Sequence, residues 1–122
     1  MWKNKPTVVI GASPNADRYS YKATINLQNH NHTVYPIGIK KGTINGLTII
    51  NDKPLLENID TITLYIGPDN QPEWYDYILK LNPKRIIFNP GTENPELIKL
   101  ANDKGIETEI ACTLVLLNIN QY

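Results

Sequence analysis

The sequence predicts an α/β protein built on a three-layer, doubly wound Rossmann-like sheet of about five parallel strands, with a small edge ribbon. Short β-branched, apolar runs alternate with helical patterns along the chain. The first run, residues 7–10, is apolar at nearly every position, which is typical of a strand buried on both faces. Such alternation favours parallel strands joined by right-handed helical crossovers. The length of 122 residues fits a single domain over residues 1–122.

The strands are predicted from apolar runs that end at glycine or proline. Pro6 and Gly11 bound the first run, and Pro36 should end the pairing of the second because proline cannot donate a ladder hydrogen bond. Glu107 and Glu109 indicate that the last strand lies at an edge. The predicted core strands are residues 7–10, 33–37, 61–66, 85–88 and 106–110.

A turn signal marks the ribbon. Asn45 and Gly46 stand between β-forming residues within 42–50. This pair is typical of tight hairpin turns because both positions readily adopt positive φ. We therefore expect a small hairpin at the edge of the sheet.

Helical patterns fill the other connections. Ser20 is expected to be the N-cap of the first helix, and Asn94 to open a helix that ends at Gly105. Asp69 or Asn70 should cap the clearest helix. The predicted inner faces comprise Ala23 and Leu27, then Trp74, Ile78 and Leu81, and then Leu97, Leu100 and Ala101. The remaining helical segments are residues 21–29, a single turn at 54–59, and 113–119.

Charge and cysteine content exclude several classes of protein. Lys plus Arg and Asp plus Glu both number 12, so the formal net charge is zero and nothing indicates nucleic-acid or membrane-surface binding. Cys112 is the single cysteine, so a disulfide framework and a cysteine-based zinc site are excluded. No run resembles a signal peptide or a membrane span, and we expect a cytoplasmic protein.

The expected fold also predicts where a ligand would bind. Doubly wound sheets hold ligands outside the carboxyl ends of their strands, where strand order reverses. The residues that follow each predicted strand are therefore candidates for the site. They lie at 11–18, 38–41, 67–70, 89–93 and 111–112.

The first of these loops begins Gly11-Ala12-Ser13 and has the strand-to-helix context of a phosphate loop. Gly11 would let the backbone turn sharply and let a phosphate approach the amides. Ser13 and Arg18 could donate hydrogen bonds to phosphate oxygens, and Ser20 lies where a helix would point at the anion. An ordinary strand-to-helix turn is the alternative, since the Gly-x-Gly-x-x-Gly pattern is absent.

The end of the second strand argues against NAD. An NAD site usually carries an acidic residue there, and no Asp or Glu occurs between Ser20 and Asp52. Gly38, Lys40 and Lys41 occur instead, and these cations suit a phosphorylated ribose. That group is the 2′-phosphate of NADP or the 3′-phosphate of coenzyme A. A solvated lysine pair in a turn is the alternative interpretation.

Small and rigid residues follow the next two strands. Gly67 ends one strand, and Asn89, Pro90 and Gly91 follow the other. Glycine here permits close approach of an extended ligand. Ordinary turn chemistry explains the same residues.

No catalytic set of side chains converges on this rim. His30 and His32 are expected to be surface loop residues at the opposite, amino-terminal edge of the sheet. Cys112 follows the last strand and could face the thiol end of a pantetheine arm. We favour the alternative, a buried core cysteine.

The strand 8–10, the loop from Gly11 to Asn15 and the Arg18-Tyr19-Ser20 that follows resemble the opening of the stand-alone CoA-binding proteins. Those proteins are similar to the CoA-binding domain of the succinyl-CoA ligase alpha subunit. The resemblance extends over essentially the whole chain and implies a Rossmann-type fold with coenzyme A along the strand ends. It implies phosphate contacts from Gly11, Ala12, Ser13 and Arg18, and further contacts from Gly38, Lys40, Ile66 and Gly67.

We therefore expect a protein that binds coenzyme A or an acyl-CoA without catalysis, as a carrier, sensor or regulator. The alternatives are an NADP- or nucleotide-dependent enzyme, or an interaction module with a vestigial site. Trp2, Trp74 and Tyr75 suggest a homodimer face, although core packing also explains Trp74. The candidate ligand-binding residues are Gly11, Ala12, Ser13, Arg18, Ser20, Gly38, Lys40, Ile66, Gly67, Asn89 and Gly91.

Overall fold

The computed structural model describes residues 3–122 and contains a five-stranded parallel sheet covered by helices. In chain order, its elements are β1 (Thr7–Ile10), α1 (Tyr19–Asn29), β2 (Val34–Ile37), β3 (Thr43–Ile44), β4 (Leu47–Thr48), β5 (Thr61–Leu64), α2 (Tyr75–Leu81), β6 (Arg85–Phe88), α3 (Pro95–Asp103), β7 (Glu107–Ile110) and α4 (Thr113–Asn118). The Rossmann-like α/β fold predicted from the sequence is confirmed. Within residues 3–122, no helix is both long enough and apolar enough to cross a membrane.

The strand order of the sheet reverses at its centre. The strands lie in the order β2-β1-β5-β6-β7, so the chain moves outward from β1 to β2 and then returns past β1 to β5. The strands are in register, and Ile10 at the end of β1 lies beside Ile37 of β2 and Leu64 of β5. The reversal falls between β1 and β5, which is where such sheets bind ligands.

The two faces of the sheet carry separate cores. Successive residues of β1 point to opposite faces, so Val8 packs with the α2 and α3 side chains while Val9 packs with Leu27 of α1 and Leu117 of α4. All four residues of β1 are buried, as the apolar run predicts. Each fully buried aliphatic side chain of this kind contributes about 1.5–3 kcal/mol. By contrast, β7 exposes Glu107 and is an edge strand.

The predicted ribbon is present as the antiparallel pair β3 and β4. Asn45 and Gly46 both have positive φ, at 46° and 86°, as the tight hairpin turn requires. Ile50, just after the ribbon, forms a parallel bridge with Ile37 and so attaches the ribbon to β2.

The first helix starts earlier than predicted. α1 begins at Tyr19, so Ser20 is a buried residue of the first turn, and its prediction as the N-cap is wrong. Arg18 occupies the N-cap position. The preceding turn explains the shift, because Arg18 N donates to the Asn15 carbonyl (3.1 Å) and Lys22 N already donates to the Arg18 carbonyl (3.2 Å).

The segment before α2 is irregular where a helix is predicted. Two 3₁₀ turns, Pro68–Asn70 and Pro72–Trp74, precede α2, so neither Asp69 nor Asn70 caps an α-helix. Each proline lacks the N–H that a continuous α-helix would use, and Gly67 before the first of them is extended, with a ψ of 162°. The helix stops at Asn82, whose φ of 48° is left-handed and which directly precedes Pro83.

Residues 54–59 contain no helical turn, contrary to the prediction. The Tyr77 hydroxyl donates to the Pro54 carbonyl (2.7 Å). Asn58 adopts a left-handed φ of 58°. The segment is therefore fixed by contacts with α2 rather than by its own helical bonds.

The start of α3 agrees with the prediction. Asn94 Oδ1 accepts hydrogen bonds from Glu96 N (3.1 Å) and Leu97 N (3.4 Å), which makes it the N-cap. Leu97 and Ala101 are buried, but Leu100 is 36% exposed. The assignment of Leu100 to the inner stripe is wrong because the buried stripe is centred between 97 and 101.

His32 is buried at the amino-terminal edge of the sheet and is not the surface residue the sequence predicts. Its Nδ1 accepts a hydrogen bond from the Lys5 backbone N–H (3.0 Å), and its ring lies 5.0 Å from that of Tyr122. Burial lowers the pKa of His32, and nearby positive groups on His30, Lys5 and Arg85 lower it further. The neutral imidazole is part of the packing at this edge.

Candidate functional site

An open cleft of about 570 Å³ lies at the carboxyl edge of the sheet, around the residues that follow β1 and β5. This volume is in the range of small-molecule and cofactor sites. Its first wall comprises lining residues from 11–20 and 38–40, and its second wall comprises those from 65–74 and 90–92. The cleft brings together the sequence-predicted residues Gly11, Ala12, Ser13, Arg18, Ser20, Gly38, Lys40, Ile66, Gly67 and Gly91.

Asn89, also predicted as a ligand contact, lies beneath the cleft and not in its wall. Its Nδ2 donates to Thr63 Oγ1 (2.7 Å) and to the Leu64 carbonyl (2.8 Å). Its Oδ1 accepts from Thr113 N (2.9 Å). The amide is thus committed to joining β5, β6 and α4, which leaves it no part in the cleft wall.

Gly11 allows β1 to turn closely against the neighbouring strand. Its φ is 99°, in the left-handed region that favours glycine. A Cβ at this position would lie 2.9 Å from Ile66 Cγ2 and from the Tyr65 carbonyl. The backbone amides of Gly11 and Ala12 both donate to the Ile37 carbonyl at 2.9 Å, which ties the loop to β2.

Gly38 is required by a close approach between two loops. A Cβ here would collide with the carbonyl oxygen of Ala12, a backbone atom that has no rotamer with which to move away. Gly38 and Ala12 are both buried. The first wall is therefore made of two backbone segments in direct contact.

The N-terminus of α1 opens on the first wall without a capping group. The Arg18 side chain makes no capping bond, and the first turn contains no acidic residue. Arg18 is exposed and forms no ion pair with the residues described, 3–122. Ser13 Oγ accepts from Asn15 N (3.1 Å), so its hydroxyl proton is available to a further acceptor. Free amides at the positive end of a helix dipole form an anion-binding arrangement.

The loop after β2 is held in place by hydrogen bonds to residues that follow the ribbon. Gly38 N donates to the Ile50 carbonyl (3.0 Å), and Asn51 Nδ2 donates to the carbonyls of Gly38 (2.9 Å) and Lys40 (3.0 Å). Lys40 lines the cleft and forms no ion pair within the described part of the chain. Ile39 beside it is 90% exposed and adds an apolar surface to the wall.

The second wall contains Tyr65, Glu73 and Trp74, which the sequence interpretation did not single out as ligand contacts. The sequence predicts Tyr65 within a strand, but β5 ends one residue before it. Trp74 was assigned to the inner face of a helix, but it lies in a 3₁₀ turn with Lys53 Nζ 4.5 Å from its ring centroid. Pro72 was the available signal, because a proline just before these residues delays the helix.

A buried amide network supports the second wall. Gln71 Nε2 donates to the carbonyls of Ile66 (3.0 Å) and Thr92 (2.8 Å). Asn94 Nδ2 donates to Gln71 Oε1 (2.9 Å) and to the Tyr75 hydroxyl (2.8 Å). The loops after β5 and β6 are thereby fixed to each other. Sequence reasoning missed Gln71 because two of its partners, Thr92 and Asn94, are more than twenty residues away.

Cys112 occupies the N-cap position of α4 and is half-buried, so it is more exposed than the favoured core interpretation implies. It is not among the residues that line the cleft. The hydroxyl of Tyr65, by contrast, is buried and has no hydrogen-bond partner among residues 3–122. Burial raises the pKa of Tyr65, so this phenol stays protonated.

The cleft carries few groups suited to acid–base or metal chemistry. No group of three or more His, Cys, Asp or Glu residues in the described part of the chain could hold a metal ion. His30 and His32 are absent from the cleft wall. Glu73 is the carboxylate that lines the cleft, on the second wall. The geometry is suited to holding an anionic ligand.

The fold and the cleft together define a Rossmann-like α/β protein with an open cleft at the switch point of its sheet, beside an uncapped helix N-terminus. The chain belongs to the CoA binding domain family, which it matches over residues 5–118. This match confirms the resemblance found in the sequence. No curated protein matches the chain.

Solved structures are similar to the chain over nearly its whole length. The crystal structure of an uncharacterized protein is 50% identical, with a TM-score of 0.96 over 98% of this chain and 99% of that one. A hypothetical protein from Pyrococcus horikoshii OT3 is 24% identical, with a TM-score of 0.82 over 93% of this chain and 81% of that one. A protein from Thermus thermophilus is 20% identical, with a TM-score of 0.85 over 98% and 91%. The last two show the fold alone.

Proposed function

We propose that this protein binds coenzyme A or an acyl-CoA in the cleft and acts as a binding, carrier or regulatory module rather than as an enzyme. The observation that carries the proposal is the uncapped N-terminus of α1 beside the unpaired Arg18. Free amides and a guanidinium suit the pyrophosphate of such a ligand. Membership in the CoA binding domain family supports the choice of coenzyme A.

The charges in the cleft suggest an orientation for the ligand. Arg18 and Lys40 belong to the first wall, and Glu73 belongs to the second. The phosphorylated adenosine therefore lies along the first wall, with Lys40 near the 3′-phosphate. The uncharged pantetheine arm extends along the second wall, where Ile66 and Trp74 offer apolar side chains.

The close packing of the first wall also suits this ligand. A Cβ at Gly11 or Gly38 would collide with Ile66, Tyr65 or Ala12, so the two glycines let the loops after β1, β2 and β5 pack tightly at the cleft. The amides of Gly11, Ala12 and Gly38 are hydrogen-bonded within the protein, so the amides that a pyrophosphate would meet are those at the start of α1.

Isothermal titration calorimetry with coenzyme A, dephospho-CoA, NADP and NAD tests the ligand. We expect coenzyme A to bind most tightly and dephospho-CoA up to about fivefold more weakly, since an exposed ion pair with Lys40 contributes at most about 1 kcal/mol. Equal affinities for coenzyme A and dephospho-CoA would contradict the proposed contact between Lys40 and the 3′-phosphate. Absence of coenzyme A binding would refute the proposal, and tighter NADP binding would favour the alternative of an NADP-dependent enzyme.

Catalysis is tested on the same protein. Incubation with acetyl-CoA should release no free thiol above the protein-free rate, and NADPH absorbance should stay constant in the presence of carbonyl compounds. Turnover in either assay by the wild type, lost in Glu73→Gln, would contradict the proposal that the protein is not an enzyme.

A further inference from the structure

Residues 51–54, which we term the strap, connect the two walls of the cleft. The strap follows Ile50, which is bridged to Ile37 of β2, and it ends against α2. It has no regular secondary structure, and none of its residues lines the cleft. Its contacts therefore act on the walls and not on a ligand.

Asn51 attaches the strap to the first wall. Its Nδ2 donates to the carbonyls of Gly38 (2.9 Å) and Lys40 (3.0 Å). These two carbonyls flank Ile39, so one amide group holds both ends of the loop that carries Ile39 and Lys40 into the cleft. The position of that loop depends on where the strap places Asn51.

Lys53 and Pro54 attach the strap to the second wall. Lys53 Nζ donates to the Glu73 carbonyl (2.8 Å) and lies 4.5 Å from the ring centroid of Trp74. The Pro54 carbonyl accepts from the Tyr77 hydroxyl (2.7 Å), and the Tyr77 ring packs edge-on to Trp74. Glu73 and Trp74 both line the cleft.

We propose that the strap sets the width of the cleft, with Asn51 and Lys53 as positioning residues for a ligand that spans both walls. The two residues are separated by one position, and each peptide link fixes neighbouring Cα atoms 3.8 Å apart. A displacement of one wall is therefore passed to the other. The proposal rests on the proposed function only in taking coenzyme A as the spanning ligand.

Fluorescence of Trp74 tests the strap without any ligand. Trp2 and Trp74 are the two tryptophans of the sequence, so a Trp2→Phe background isolates Trp74. In that background, Lys53→Met should increase acrylamide quenching of Trp74. Asn51→Ala, at the far end of the strap, should increase it as well. If Asn51→Ala leaves the quenching of Trp74 unchanged, the proposed role of the strap is overturned, whether or not coenzyme A binds.

Calorimetry with coenzyme A then tests the consequence for binding. Asn51→Ala should weaken affinity about fivefold for two lost hydrogen bonds. Lys53→Met should weaken it about threefold for an exposed cation–π contact. Because either change releases the same strap, the double variant should lose about fivefold in coenzyme A affinity. Two independent sites would instead give a loss of roughly 15-fold. A double variant whose affinity loss equals the product of the two single losses would overturn the proposal.

Two controls separate positioning from a general structural effect. Lys53→Arg keeps a cation over Trp74 and should retain wild-type affinity. Adenosine 3′,5′-bisphosphate reaches the first wall alone, so Lys53→Met, which keeps Asn51 on that wall, should weaken its binding less than it weakens the binding of coenzyme A. Failure of the wild type to bind coenzyme A would refute the proposed function, and the Trp74 quenching would still decide on the strap.

Discussion

Gly38 occupies a point where the end of β2 touches the loop after β1. The carbonyl oxygen of Ala12 fills the space that a Cβ of Gly38 would need. Gly67, on the second wall, has no atom within 4 Å of the corresponding position. Packing at this edge of the sheet therefore requires glycine at position 38 but not at position 67, and substitutions at the two positions should differ in their effect on stability.

Gly38→Ala should destabilise the protein by about 1–3 kcal/mol, because the inserted methyl group forces the two backbone segments apart. Urea unfolding measures this free energy. Gly67→Ala is the matched control, since its φ of −67° suits alanine and its surroundings are open. Equal stability of the two variants would contradict the packing described for the first wall.

Arg18→Ala should weaken coenzyme A binding at least tenfold, because charge-assisted hydrogen bonds contribute about 1.5–3 kcal/mol each. The midpoint of thermal unfolding should stay unchanged, since Arg18 is exposed and makes no ion pair among residues 3–122. Lys22→Ala removes a cation one turn further along α1, outside the cleft wall, and should bind normally. Similar losses in both variants would indicate only a diffuse charge effect.

His32 gives the stability a dependence on pH. Burial lowers its pKa below the ordinary value of 6.5, so the folded state binds fewer protons than the unfolded state between the two values. The stability that this difference represents is complete above about pH 6.5 and is lost as the pH falls through the folded pKa. Urea unfolding at several pH values should show a steeper decline for the wild type than for His32→Gln. The same pH dependence of the unfolding free energy in both proteins would contradict this role of His32.

At the scale of elements, helices α1 and α3 begin in different ways. Asn94 caps α3 with two backbone hydrogen bonds, whereas α1 starts with no capping side chain. A missing cap costs about 1 kcal/mol of stability. Helix α1 leaves its amides unpaired where its N-terminus faces the cleft, and this is the place where a ligand would use them.

Arg18→Asp tests that interpretation. A carboxylate at the N-cap should accept the free amides and stabilise the protein by about 1 kcal/mol. The same carboxylate should abolish coenzyme A binding, because it occupies and repels the anion site. A rise in the thermal midpoint together with lost calorimetric signal is expected. Binding retained in this variant would place the phosphates elsewhere.

At the scale of the whole molecule, the sheet could be predicted because burial on both faces leaves long apolar runs in the sequence. The position of the cleft followed from the rule that ligands bind at the switch point. Local patterns could not predict the amide of Gln71 behind the second wall or that of Asn89 beneath the cleft. Their roles depend on Thr92, Asn94 and Thr113, which are more than twenty residues away along the chain.

Backbone details escaped prediction for a related reason. Serine is a common N-cap residue, but the turn at Asn15 makes the helix begin one residue before Ser20. His32 is in a polar stretch of sequence, but Tyr122 covers it from the other end of the chain. Trp2 lies outside the described residues, so a homodimer face built on the aromatic residues stays a prediction.

The most direct test of the central claim is amide chemical-shift mapping of the protein during titration with coenzyme A. We expect the largest shifts at Ser13, at 18–20 and at Lys40, all of which line the cleft. Residues at the amino-terminal edge, such as His32, should be unaffected. Shifts confined to that edge, or none at saturating coenzyme A, would contradict the account.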